Sequence, residues 1–171
     1  MRTRLIRLAV VSIVVMSCRS TEPTATQPAF TGQWQGREWK GDASVRILSP
    51  GATGDTLYVM SKQPVQTGDG IYEEWLTIHL PFHGAGTYVL DSASVVVRVV
   101  IGGDVIGASY HGLGANAGVL EITDYGSVDG HIEGTVWFNA GQEGYYAQAS
   151  SMIREFKSGH FRATVVKGYD Y

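Results

Sequence analysis

From residue 30 onward, apolar and polar residues alternate in short bursts separated by glycine-rich turns, a pattern that predicts strands. Ala43, Val45 and Ile47 alternate with Ser44, Arg46 and Leu48. Leu57 and Val59 share a face, as do Leu76, Ile78 and Leu80 up to Pro81, where the ladder is expected to stop. FTGQWQGREWKG sets two apolar-aromatic arms around Gln35-Gly36-Arg37, a hairpin signature. QPVQTGDG, residues 63–70, reads as a long loop, and GTYVLD, 86–91, as a short strand. SVVVRVVIGG carries apolar residues on both faces, which predicts a central strand covered on two sides.

DVIGASYHGLGANAG reads as partly strand and partly loop. VLEITDYGSVDGHIEGTVWFNA reads as two strands about a turn within residues 124–130. On the second of these, Ile132, Gly134, Val136 and Phe138 share one face, and His131, Glu133, Thr135 and Trp137 the other. SMIREFKSGHFRATVV reads as a closing hairpin turning near Ser158-Gly159, with Phe161, Ala163 and Val165 inward. No window sustains a 3.6-residue apolar period over three turns. About nine to eleven short strands imply an all-β fold: an antiparallel β-sandwich or flattened barrel over residues 30–171.

The first 29 residues read differently. MRTRLIR is basic, and the apolar run over residues 8–16 is far shorter than the roughly 20 residues of a membrane span. Residues 1–17 therefore read as a secretory signal. Val15-Met16-Ser17-Cys18 resembles the bacterial lipobox, which implies that Cys18, the only cysteine, is lipidated and becomes the first residue after cleavage. An exported protein with one free thiol is open to mispairing, and lipidation removes that thiol. Arg19 stands where an aspartate would signal inner-membrane retention, so the expected location is the cell envelope, on the outer membrane. RSTEPTATQPA, residues 19–29, has almost nothing to bury and reads as a tether.

Composition narrows the class of partner. Cleavage before Cys18 would remove three arginines and leave ten basic against 16 acidic residues, a net charge near −6. That balance argues against a nucleic-acid partner. One cysteine permits no internal disulfide, so a single hydrophobic core must supply the stability, and the chain is long enough to build one.

Several phrases occur in an order worth noting: Phe30, Gly36 and Trp39, then GTYVL, then GVLEITDYGSVDGHIEGTVWFNA, then SGHFRATVV. Together they resemble an uncharacterised family of small bacterial lipoprotein domains over about residues 30–167. The resemblance implies an all-β domain. Tyr125 and Val136 depart from its pattern, and the family brings no established catalytic residues.

Candidate chemistry is sparse. His79 and His83 stand four apart, but Pro81 between them opposes the helix that this spacing needs for zinc, and no metal site or cofactor is expected. His131 and Glu133 share a strand face, where polar alternation is ordinary. Glu73 and Glu74 point to opposite sides of a strand, and no catalytic residue is assigned. Aromatics are the suggestive excess: Trp137, Tyr145 and Tyr146, with Tyr110 and Tyr125, are expected outside or beside the core. Flat rings of this kind bind sugars and apolar ligands and mark interfaces. Residues 139–148 read as an exposed loop carrying Tyr145 and Tyr146. The expected function is a lipid-anchored, non-catalytic binding module for a small glycan, an apolar ligand or an envelope protein. A structural envelope component that assembles with other surface proteins is the alternative. A hydrolase using His131 and Glu133 ranks third.

Overall fold

The computed structural model describes residues 27–48, 54–68, 70–103, 105–142 and 153–168. Ten strands follow in order: β1 (Ala29–Trp34), β2 (Arg37–Leu48), β3 (Asp55–Thr67), β4 (Gly70–Phe82), β5 (Gly86–Leu90), β6 (Val95–Ile101), β7 (Val105–Gly112), β8 (Gly118–Tyr125), β9 (His131–Gln142) and β10 (Ile153–Gly168). They form one sheet, ordered β1-β10-β2-β3-β4-β6-β7-β9-β8-β5, with further pairings β1–β2 and β9–β10. Those two pairings bend the sheet back on itself, so β1, β2, β3, β4, β6, β7, β9 and β10 make a closed, uneven circuit. β8 and β5 extend from one end of β9, where β7 no longer pairs with it.

Local chemistry sets the corners. At the β1–β2 turn Gln35 and Gly36 both have positive φ, 53° and 75°, the conformation whose twist suits a two-residue hairpin. At the β5–β6 turn, Asp91 Oδ1 accepts hydrogen bonds from the Ala93 amide, the Ser94 amide and the Ser94 hydroxyl. The Ser94 hydroxyl, followed by these amides, lowers the Asp91 pKa below its usual 3.8. A carboxylate with a depressed folded pKa adds stability above its unfolded value, and that stability fades as pH falls through the folded one. Asp91→Asn is therefore expected to melt below the parent protein at neutral pH. The gap should close as pH drops below about 4, and thermal melts across that window measure it.

Four expectations need correction. Residues 63–70 are not a loop: β3 and β4 stay paired out to Thr67 and Gly70. Pro64 is tolerated there because β2 pairs with β3 only as far as Lys62, leaving a free edge. Pro81 does not end its ladder with β3, which continues through Thr56–Pro81 to Asp55–Phe82; the β4–β6 ladder is the one that stops, at Ile78. β10 is one strand, not a hairpin. Ser158 (φ 51°) supplies a bulge, with one extra residue between Phe156 and Gly159 opposite β9, and this keeps Phe156 and Phe161 both inward. Finally, β10 and β2 pair in parallel at Val165–Gly168, because each is antiparallel to β1 and they meet beyond Ala29, where β1 begins.

The inward faces are those the alternation predicts: Ala43, Val45, Ile47, Leu57, Val59, Leu76, Ile78, Leu80, Ile132, Val136, Phe138, Phe161, Ala163 and Val165 are all buried. β6 is central, between β4 and β7, yet Val96 on its second face is only half-buried. A cluster of rings surrounds Phe156, which stacks on Phe138 at 5.1 Å and lies 5.7–6.4 Å from Phe30, Trp39 and Trp34. Gly32 and Gly159 make room for it, since a Cβ at either position would lie 2.6–2.7 Å from the Phe156 ring.

Candidate functional site

Two groups of polar and aromatic residues stand out, one under the β1–β2 hairpin and one on the outside of β5, β8, β9 and β10. Under the hairpin, Glu74 is 2% exposed; its Oε1 accepts from Arg37 at 2.6 Å and its Oε2 from the Gln63 amide at 2.8 Å. Gln63 in turn accepts from the Lys40 backbone amide, and the Trp39 indole donates to Ser61. A side-chain lattice thus replaces the β2–β3 ladder where those strands part. Its side chains are tied to one another by these hydrogen bonds, which makes it a structural cluster.

The outer face is built row by row across antiparallel strands, so cross-strand partners stand side by side. Val89, Val119 and Trp137 form one row. Trp137 is 47% exposed, Val89 61%, and Val119 half-buried. Thr87, Glu121 and Thr135 form the next row, all exposed, and none of these three side chains has a hydrogen-bond partner among the described residues. Beyond them the charges pair off. Glu133 meets His160 at 3.0 Å and Arg162 at 3.7 Å, while Asp124 meets His131 at 2.6 Å.

This arrangement separates the residues singled out by spacing. Trp137, His131 and Glu133 share the outer face as expected. His131 and Glu133, however, engage different partners on open sheet rather than converging in a cleft. Tyr110 is corrected: it is only 7% exposed, inside the core, edge-on to Trp34 at 5.7 Å. Tyr125 is half-buried against Phe82, and burial together with the nearby Asp55 charge raises its pKa above 10. His79 stacks on Tyr58 and His83 packs against Tyr88, so the two imidazoles go to separate rings. No group of three or more metal-ligating side chains occurs among the described residues. Cys18, the signal over residues 1–17, the tether up to residue 26, and Tyr145 and Tyr146 lie outside the described residues.

Thr87, Val89, Val119 and Glu121 were not singled out from the sequence. Their outward direction follows from alternation, but only the register places them beside Trp137. The class of protein defined by these features is an all-β domain, one sheet closed on itself, with an aromatic-and-hydroxyl platform on its outer face. Comparison with protein-family models, with curated proteins and with solved structures finds no match to this chain. The likeness to small bacterial lipoprotein domains rests on sequence motifs alone.

Proposed function

We propose that this chain is a lipid-anchored, non-catalytic binding module of the bacterial cell envelope. Cys18 holds it to the membrane, residues 19–29 space it from the lipid, and the Trp137 face meets the ligand. The observation that carries the reading is the solvent exposure of Trp137 beside three polar side chains with no internal partners. An indole left in water forgoes burial that the core gives Trp34 and Trp39. A second reading, assembly with other surface proteins, is favoured by exposed Ile101, Val105 and Ile106 at the β6–β7 hairpin and Ile71 at the start of β4.

Both parts of the proposal are open to test. Cys18→Ala is expected to abolish fatty-acid labelling and membrane retention; labelling that persists removes the anchor. Trp137→Ala is expected to reduce binding to isolated envelope fractions at least tenfold while shifting the melting temperature by less than about 2 °C. A large loss of melting temperature would make Trp137 a packing residue. Binding lost instead on Ile101→Ser or Ile71→Ser would favour assembly.

A further inference from the structure

We infer that the ligand of the Trp137 face is a neutral pyranose glycan, an assignment that rests on the binding-module reading above. Three properties of the platform point to this chemistry. First, the row Val89–Val119–Trp137 crosses two interstrand spacings, about 10 Å, and ends in an exposed indole. The C–H face of a sugar ring stacks on such a surface, and the row is long enough for more than one ring. Second, the next row, about 7 Å along the strands, offers the Thr87 and Thr135 hydroxyls and the Glu121 carboxylate, all exposed and without internal partners. A carboxylate accepts from two neighbouring sugar hydroxyls at once, and threonine both donates and accepts.

Third, the charged side chains nearest these two rows are already matched. Glu133 is held by His160 and Arg162, Asp124 by His131, Lys157 by Glu155 and Lys40 by Glu38. No unpaired cation among these residues would draw a phosphate or an acidic chain. A protein partner fits less well, because interfaces concentrate apolar area at their centre. Here the apolar row is one residue deep and is bordered at once by hydroxyls and a carboxylate. A ligand with one apolar face and a rim of hydroxyls matches both rows together.

The test uses the full-length protein and three neutral hexasaccharides: cellohexaose, chitohexaose and maltohexaose. Binding is followed by isothermal titration calorimetry, a readout that does not depend on the indole replaced in the Trp137 variants. At least one hexasaccharide is expected to give a saturable heat of binding to the parent protein. Trp137→Ala should weaken that binding tenfold or more, Trp137→Phe should keep most of it, and Glu121→Gln should weaken it several-fold. All three variants should melt as the parent does. No response to any of the three sugars overturns the inference, as does binding that survives both Trp137→Ala and Glu121→Gln. The cationic glucosamine hexamer is titrated alongside, and binding of it alone overturns the neutrality of the ligand. Competition separates the two readings: envelope binding that needs Trp137 but resists all three sugars overturns the glycan and leaves the binding module standing. Envelope binding indifferent to Trp137 removes the module reading itself.

Discussion

Replacing Phe156 with alanine is expected to cost about 3–5 kcal/mol, measured as a lower urea midpoint at unchanged slope. Phe156 is fully buried, and its ring touches four others that belong to β1, β2 and β9. Truncation would therefore loosen the point where the first, second, ninth and tenth strands meet. The two glycines beside it have no side chains that could move into the void, and the surrounding rings are rigid, so the cavity should stay largely open. A loss below about 1 kcal/mol would mean that the site collapses easily, contrary to the packing described. Phe156→Leu, which keeps much of the volume, should lose clearly less.

Arg37→Met is expected to destabilise by about 3 kcal/mol, more than Glu74→Gln. The asymmetry follows from exposure. Arg37 is 44% exposed and regains water when its partner is removed. Glu74, at 2% exposure, keeps only Gln63 when Arg37 is lost, and a buried charge without its counter-ion is expensive. Glutamine at position 74 retains hydrogen-bonding capacity toward Gln63 without the charge. The double variant Arg37→Met/Glu74→Gln should therefore recover most of the loss, which a double-mutant cycle measures directly. Equal losses in the two single variants, or no recovery in the double, would mean that the cluster is held by packing rather than by its charge.

Alternation made the strands legible because each has one wet face and one dry one. Val45, Leu57, Ile78 and Phe161 all announce the inward direction, and Gln35-Gly36 announces its turn. Breaker residues misled where a local rule depends on a distant neighbour. Pro64 breaks a ladder only if a second strand needs its amide, and nothing near it in sequence says that β2 has already turned away. Ser158-Gly159 looks like a hairpin turn because positive φ serves turns and bulges alike; β1 and β9 on either side decide for the bulge. Tyr110 departs from its local signal for a similar reason. It neighbours glycine-rich sequence, but its register with Val97 and Gln142 turns the ring inward. Trp137 was visible as the odd outward aromatic on β9, whereas Glu121 and Thr87 became its neighbours only through pairing across β8 and β5. Arg37 and Glu74 stand 37 positions apart and carry no local signal of each other.

The circuit of strands closes where the beginning of the domain meets its end: Thr31 of β1 lies against His160 of β10, 129 positions later in the chain. Hairpins such as β3–β4 join neighbours in sequence and can form early, whereas closure waits for the last long strand. Most of the entropy cost of bringing distant segments together falls on that single event, which places the protein among slow folders, on the order of milliseconds to seconds. Until β10 docks, β1, β2 and β9 each present an unpaired edge, and the ring cluster lacks its central member. A chain synthesised from its N-terminus therefore stays open until β10 is available. The closing strand acts as a timer, holding back the compact state until the tenth strand has been delivered.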